Sequence, residues 1–350
     1  MKVCVAMSGG VDSSTVAGLL VEAGHEVVGV HMKLHDAPST GTPGRCCGFD
    51  DALDARMVAA RLEIPFYVMD LREAFRRAVM DDLADNYLAG RTPNPCVMCN
   101  GVLKFQVLLQ RARALGCSHL ATGHYARLSP DGRLRMAADL DKDQSYFLFP
   151  MSEAARQATL FPLGELSKPQ VREEARRLGL LTAEKAESQE ICFIPDDDHT
   201  RFVREHRAPV GGGGEIVDTE GRVLGQHDGY WRFTIGQRRG LGVSAGQPVY
   251  VLGIDPQSGQ VVVGGAEGLR HQAIAVRGFH WHRRPLAGEA LSARIRHRGA
   301  LLPCADLEES PQQLRIGLAE AARAAAPGQA LVLYAADEVV GGGWIHSVED

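Results

Sequence analysis

The 350-residue sequence has no stretch approaching the roughly 18 consecutive apolar residues that crossing a bilayer requires. Its start runs directly into a strand pattern, without a basic segment, an apolar run and a cleavage site. Both absences argue against a membrane or secreted protein and set the expectation of a cytoplasmic one with no membrane partner. A regular cysteine framework is also missing. The eight cysteines, at 4, 46, 47, 96, 99, 117, 192 and 304, are scattered, which argues against a disulfide scaffold and for thiols kept reduced. Nor is there an excess of positive charge: the net charge of -5 does not advertise a polyanion binder. No internal repeat or low-complexity tract appears. What the chain does have, 45% hydrophobic and 23% charged residues, suffices for two or three packed domains.

Residues 2 to 7 read as a strand, followed by a helix-period stretch that closes at Gly24. Strands at Glu26 to Met32, Pro65 to Met69 and His119 to Thr122 alternate with helices at Asp50 to Leu62 and Lys104 to Leu115, and a last helix follows Ser167-Lys168-Pro169. Such alternation predicts an α/β fold with a doubly wound parallel sheet, its ligands at the carboxyl ends of the strands. The composition changes at Pro195-Asp-Asp-Asp and again at Gly211 to Gly214, where helical periodicity stops. Short β-rich runs follow at Glu215 to Val217, Tyr230 to Ile235, Pro248 to Ile254 and Gln260 to Val263, then at Leu291 to Ile295, Gln313 to Ile316 and Ala330 to Ala335. The expected organisation is a catalytic domain over 1–200, a small central β domain over 201–268 and a second β domain, a compact barrel, over 269–350. Between Arg270 and Ala300 seven arginines (270, 277, 283, 284, 294, 296, 298) face one acid, Glu289, a basic island in an acidic chain that reads equally as a solvated arginine-rich face.

The run Ser8-Gly9-Gly10-Val11-Asp12-Ser13-Ser14 stands where a strand hands over to a helix, so that glycines can turn tightly and backbone N–H groups face an anion. It lacks the Gly-Lys-Ser/Thr ending of a Walker loop. Further on, Arg91-Thr92-Pro93-Asn94-Pro95-Cys96-Val97-Met98-Cys99-Asn100 reads as a proline-stiffened loop before a helix that begins near Lys104. A cysteine there gains thiolate character from the helix dipole and from the nearby lysine. Ser188-Gln189-Glu190-Ile191-Cys192-Phe193 presents a second cysteine, and sulfur transfer needs two thiols, one to carry sulfur and one to resolve the adduct.

The seven-residue loop resembles that of the PP-loop ATPases, the adenine nucleotide alpha-hydrolase-like group, whose Ser-Gly-Gly-x-Asp-Ser grips the pyrophosphate of ATP while the α-phosphorus is attacked. With Gly-Arg-Thr-Pro-Asn-Pro, Ala-Thr-Gly-His-Tyr-Ala-Arg, Lys-Asp-Gln-Ser-Tyr-Phe-Leu, Ile-Cys-Phe-Ile and Thr-Ile-Gly-Gln-Arg-Arg-Gly-Leu-Gly in order, the whole chain resembles the bacterial tRNA 2-thiouridylases. The resemblance implies that ATP adenylates O2 of the wobble uridine, in lysine, glutamate and glutamine acceptors, and that sulfur displaces AMP. It implies ATP contacts at Ala6, Met7, Ser8, Gly9, Gly10, Val11, Asp12, Ser13, Met32 and Gly123, with Asp12 near Mg²⁺ and Ser14 beside the phosphates. Cys192 would accept a persulfide from a cysteine desulfurase or sulfur-relay protein, and Cys99 would act as acid/base and resolving thiol, ending in a Cys99–Cys192 disulfide. Asn94, Pro95 and Cys96 would face the flipped base. His124, Lys142, Asp143 and Gln144, with Arg296, His297 and Gln329 in the last domain, would touch tRNA.

Many relatives carry Asp where this chain has Cys96. Cys96, Cys99 and Cys192 together make a set that suits an iron-sulfur cluster delivering sulfide, so the persulfide and cluster routes both stand at this point; a zinc site would lack a fourth ligand. A PP-loop amidating enzyme would not require the two thiols, and a non-enzymatic metal-containing RNA-binding module would bind RNA regardless of ATP. Cys46 and Cys47 are left outside the site. Cys4, Cys117 and Cys304 are expected to be packing residues.

Overall fold

Strand-helix alternation in the first half of the chain builds β1 (Lys2–Ala6), α1 (Val11–Glu22), β2 (Glu26–Lys33), α2 (Phe49–Arg61) and β3 (Phe66–Asp70), then the helical segments α3 (Arg72–Phe75) and α4 (Asp81–Leu88). A long helix follows in three parts, α5 (Pro95–Met98), π-type turns over Cys99–Leu108 and α6 (Leu109–Ala114). After it come β4 (His119–Ala121), the hairpin β5 (Arg127–Leu128) and β6 (Leu134–Arg135), α7 (Glu153–Gln157), β7 (Thr159–Leu160) and α8 (Lys168–Arg177). This computed structural model describes residues 1–36, 49–186, 191–194, 196, 198–208, 213–244 and 246–349. Two units emerge, one of Met1–Val79, Cys96–Asp197 and Asp337–Val339, the other of Met80–Pro95, Asp198–Ala336 and Val340–Asp350.

In the first unit the sheet order is β3-β2-β1-β4-β7 with every neighbouring pair parallel. Strand order reverses at β1, which has β2 on one side and β4 on the other, so the crevice beyond its carboxyl end is where a ligand binds in such sheets. Buried on both faces, β1 is apolar from Val3 to Ala6: Val3 and Val5 pack with Val16, Ala17 and Leu20 of α1, Ala55 and Val58 of α2, and Val171 and Ala175 of α8.

In the second unit α4 is joined by α9 (His199–Arg207): the Tyr87 and His199 rings stack at 4.5 Å, and His206 Nε2 lies 2.7 Å from an Asp81 oxygen. The expectation that the helix after Ser167-Lys168-Pro169 is the last one is therefore corrected. Asp198, read as part of a composition break, caps α9 by accepting from the Arg201 N–H at 2.9 Å. Strands β8 (Gly214–Val217), β9 (Val223–His227), β10 (Tyr250–Asp255) and β11 (Gln260–Gly264) form a sheet in the order β10-β11-β8-β9 over Ile216, Phe233, Val251, Val261 and Val263. The strand expected at Tyr230 to Ile235 is instead a tight turn over Tyr230–Arg232. Its aromatics anchor rather than alternate: the Tyr230 hydroxyl donates to the Leu88 carbonyl, and Trp231 is buried.

Six strands close the barrel: β12 (Arg270–Trp281), β13 (Ser292–Arg294), β14 (Leu302–Glu309), β15 (Leu314–Arg323), β16 (Ala330–Ala335) and β17 (Glu338–Glu349). The order is β12-β15-β14-β13-β16-β17, with β17 pairing back to β12, which removes the open edges. Ile274, Val276, Ala293, Ile316, Leu331 and Leu333 fill the interior. Among the described residues no helix is long and apolar enough to cross a membrane. All three tryptophans, Trp231, Trp281 and Trp344, lie in the second unit. Leu333→Ala, which empties a fully buried barrel position, should therefore lower the tryptophan-detected unfolding midpoint by an amount equivalent to about 2–5 kcal/mol; a loss under about 1 kcal/mol would show that Leu333 does not support the barrel.

Candidate active site

The loop after β1 is shaped by close approach. Gly9 has φ +81°, and a Cβ on it would sit 2.2 Å from the Asp51 carbonyl oxygen, so no side chain fits there. Gly10 stands before α1 without a side-chain cap, and the first intrahelical bond is Ser14 N–H to the Gly10 carbonyl at 3.2 Å. The N–H groups of the first turn therefore have no partner within the helix, the arrangement that binds anions at helix N-termini. Hydroxyls brace the turn. Ser13 Oγ accepts from the Ser8 N–H at 3.1 Å and lies 3.2 Å from Ser8 Oγ, while the Ser14 hydroxyl donates to the Gly10 carbonyl at 2.8 Å.

Asp12, in the first turn of α1, is gripped from two sides. Lys168 Nζ, at the start of α8, donates to both carboxylate oxygens at 2.7 and 2.9 Å, and the Tyr125 hydroxyl donates at 2.9 Å. Gly123 closes the third side, since a Cβ there would lie 3.0 Å from both Asp12 Cβ and the Ser13 nitrogen. A second cation, Lys185, donates to the Gly9 carbonyl at 3.1 Å and to Asp51 and Asp54 at 2.6 and 2.5 Å. These carboxylates raise the Lys185 pKa against the opposing effect of its burial. Arg172 of α8 donates to the backbone carbonyls of Ala183 and Lys185, so one helix steadies both lysines.

Lys168, Tyr125, Lys185 and Asp51 were missed by sequence reading, because each meets the loop only through the fold. The Met7 side chain is buried against Gly29 and its carbonyl accepts from His31 Nδ1 at 2.9 Å, so it supports the loop from the core. Ala6 is likewise a core residue, Val11 is buried in the first turn of α1, and Met32 is half-buried near the end of β2.

The helix that carries Cys99 begins at Pro95, not near Lys104. Proline at a first helical position has its φ already set and no N–H to satisfy, so the Pro-Asn-Pro run that reads as loop is a helix start. Cys96 is exposed in the first turn; Cys99 lies one turn further in, half-buried, where π-type turns begin. Burial pushes the Cys99 thiol up to about 12; the Lys104 ammonium opposes that rise, and Cys192 and Cys96 add to it. The expected dipole-assisted thiolate is thus overruled by desolvation in this state. Cys192 occupies a turn closed by Ile194 N–H to the Ile191 carbonyl at 3.0 Å and anchored by Phe193, whose ring meets Phe75 edge-on at 5.3 Å.

None of the six described cysteines forms a disulfide. Cys46 and Cys47 lie outside the described residues. Among the described residues no group of three or more His, Cys, Asp or Glu is arranged to hold a metal; Cys96 is exposed, and Cys99 and Cys192 are half-buried. Cys4 and Cys117 are buried, and Cys304 is half-buried, its thiol pushed to about 12 by burial.

Several expected tRNA contacts are structural. His124 is 7% exposed and lies between Phe105 and Phe161, which leaves it almost no surface to offer. The buried Asp143 carboxylate accepts from the N–H groups of Ala137 and Ser145 and from the Ser145 hydroxyl, and Gln144 accepts from the Tyr125 N–H, so both shape their own loop. Lys142 is half-exposed. In the second unit Gln329 donates to the carbonyls of Thr92 and Pro93 at 3.3 and 3.0 Å and accepts from Asn94 at 3.4 Å, holding the segment before Cys96. Arg296 is exposed and His297 half-buried. Within the basic island Arg283 pairs with Glu289, Arg284 with Glu309, and Arg294 lies 5.1 Å over the Tyr334 ring, so part of its charge is already spent within the protein.

Gly9→Ala forces a side chain into the Asp51 backbone and should weaken ATP binding at least about tenfold, which equals about 1.4 kcal/mol. Lys168→Met leaves the partly buried Asp12 without its cation and should also weaken it. Isothermal titration with ATP checks both; affinities unchanged within twofold would rule out this turn as the phosphate site.

Three family models match consecutive stretches: tRNA methyl transferase HUP domain over residues 1–196, tRNA methyl transferase PRC-barrel domain over 200–265 and Aminomethyltransferase beta-barrel domain over 271–345. The chain is 47% identical to the tRNA-specific 2-thiouridylase MnmA of Geotalea uraniireducens over 358 residues, covering 99% of this chain and 96% of that protein. It is 47% identical to the protein of the same name from Geobacter metallireducens, covering 99% and 97%. With that of Solibacter usitatus the identity is 45%, covering 98% and 99%. At this identity over both full lengths, the chain belongs to the tRNA-specific 2-thiouridylase family.

Proposed function

We propose that this protein uses ATP to replace the 2-oxygen of the wobble uridine of tRNA with sulfur, acting on lysine, glutamate and glutamine acceptors in the cytoplasm. The reading rests above all on one observation: an anion-binding turn at the sheet's switch point and two cysteines, Cys99 and Cys192, belong to the same unit.

ATP lays its phosphates against the N–H groups of residues 9 to 13, with Gly123 flanking the loop and Met32 near the adenosine. Asp12 would hold Mg²⁺, whose charge eases departure of pyrophosphate; a carboxylate oxygen suits that hard ion. Uridine O2 attacks the α-phosphorus, the bond to pyrophosphate breaks, and the base carries AMP as a leaving group. Cys192, loaded as a persulfide by a cysteine desulfurase or relay protein, attacks C2 through its outer sulfur. Cys99, as thiolate, then attacks the inner sulfur: the S–S bond breaks, AMP leaves with the former O2, and 2-thiouridine forms together with a Cys99–Cys192 disulfide. A thiol reductant returns the disulfide to two thiols. Asn94, Pro95 and Cys96 present the base, Gln329 fixes that segment, and Lys142, Arg296 and His297 meet the tRNA backbone, so affinity should fall steeply with salt. The domain limits 1–200, 201–268 and 269–350 are part of the same proposal.

Unmodified tRNA, ATP, cysteine and a cysteine desulfurase should together give thiolated nucleoside on a mercury gel, with AMP and pyrophosphate released. Cys99→Ser and Cys192→Ser should each lower thiolation at least about a hundredfold, the scale of losing a nucleophile. Cys96→Ala, prepared anaerobically, should contain no iron and keep thiolating; iron and labile sulfide in the parent, lost together with activity in Cys96→Ala, would overturn the persulfide route.

A further inference from the structure

Cys192 is carried on a tight turn, Ile191 to Ile194, closed by the Ile194 N–H to the Ile191 carbonyl at 3.0 Å. Cys192 and Phe193 are its central residues, so their side chains leave the same short bend and cannot move independently. Ile194 is 1% exposed and Phe193 is half-buried. The Phe193 ring meets Phe75 at 5.3 Å between centroids and 84° between planes, the arrangement in which the positive edge of one ring faces the negative face of another. Consecutive apolar side chains therefore pin the turn, and the half-buried Cys192 is the central residue that offers a sulfur.

The seat under Phe193 is itself fixed. Phe75 is fully buried at the end of α3. The Leu71 N–H, just before α3, donates at 2.9 Å to the carbonyl of Lys33, the last residue of β2. The Arg72 guanidinium forks between Asp70, the last residue of β3, at 2.6 Å and Asp36, just past β2, at 2.7 Å. These ties hold the start of α3 at the carboxyl edge of the parallel sheet, where such sheets meet their ligands. From the same edge the His35 ring lies 6.2 Å from Phe75. Helix α3 also packs against the turns over Cys99–Leu108, the part of the long helix that carries the other thiol. One ring thus joins the Cys192 turn to the sheet edge and stands on the element that packs on the Cys99 helix.

We propose that Phe193, seated on Phe75, is the positioning residue that holds the sulfur carrier Cys192 within reach of Cys99. The ring pair adds no chemical step: no bond forms or breaks at either ring, and neither carries a proton. It supplies effective concentration, because a sulfur on a pinned turn meets a fixed partner far more often than one on a free segment. The inference rests on the proposed roles of Cys99 and Cys192. Adenylation of tRNA does not use Phe193, so the two readings fail separately.

The test equilibrates the full-length protein with mixtures of reduced and oxidised glutathione and measures the Cys99–Cys192 disulfide by peptide mass spectrometry, beside single-turnover thiolation and tRNA-dependent pyrophosphate release. Phe193→Ala should lower the effective concentration of the two thiols about tenfold and cut thiolated nucleoside per pyrophosphate by a similar factor, with pyrophosphate release within about twofold of the parent. Phe193→Tyr, which keeps the ring, should stay within about threefold of the parent. Phe75→Leu should give the same kind of loss, and Phe75→Leu/Phe193→Ala should lose no more than about twofold beyond the worse single variant, because both remove one contact. Should Phe193→Ala not fold, Phe193→Leu carries the same test, with a loss of at least about threefold expected. An unchanged effective concentration in the variant that folds overturns the proposal, and so does a loss in Phe193→Tyr as large as that in Phe193→Ala. Fully additive losses in the double variant overturn the assignment of Phe75 as the seat. A parent that forms no Cys99–Cys192 disulfide at any glutathione ratio, or thiolation by Cys192→Ser at the parent rate, would instead strike the reading of the function.

Discussion

A thiol that must attack sulfur has to ionise, and a thiol that must be shielded from stray chemistry has to be buried; at Cys99 these demands collide. Burial pushes its pKa to about 12, far from a working thiolate at neutral pH. What surrounds it can be understood as a response to that conflict. A proline start fixes the helix, and Lys104, whose Nζ lies 3.3 Å from the neutral His124 ring, opposes the rise in the Cys99 pKa. The low dielectric that costs the thiolate its hydration also strengthens its attraction to one well-placed ammonium.

The phosphate turn follows a related logic with the charges inverted. An anion is to be received by N–H groups at the crest of an apolar sheet, and the turn must stay in shape without it. Gly9 lets the α2 backbone come within contact, and Lys185 ties the Gly9 carbonyl to Asp51 and Asp54. Asp12 is kept from folding back onto the loop's own donors by Lys168 and Tyr125. Gly123, just past β4, packs against Asp12 Cβ, and Lys168, at the start of α8, reaches the Asp12 carboxylate, so the parallel order around β1 is what assembles the turn's surroundings.

Much of this was legible in sequence because it is local. The Ser8 to Ser14 run carries its own turn and helix start, apolar runs alternating with helix-period stretches announce the parallel sheet, and Gly-, Asp- and Pro-punctuated strands announce the barrel. What escaped depends on contacts across the fold. Lys168 is 156 positions from Asp12 and Lys185 is 176 from Gly9, so nothing nearby marks either as part of a site. Pro95 misled because the same residue opens helices and stiffens loops. His124 and Asp143 misled because polar side chains read as surface until burial reveals them as braces, and Tyr230 to Ile235 misled because its aromatics serve as anchors. The long strands β12 and β17 were hidden by bulges that break the alternation, at Ala275/Val276 and Arg277/His280.

The account turns on Cys99 and Cys192 reaching each other in one catalytic unit. Single-turnover reaction of persulfide-loaded protein with ATP and unmodified tRNA, without reductant, followed by peptide mass spectrometry under non-reducing conditions, measures this directly. The account predicts a Cys99–Cys192 cross-linked peptide formed in step with thiolated tRNA. Thiolated tRNA accumulating while both cysteines are recovered as unlinked thiols would contradict it.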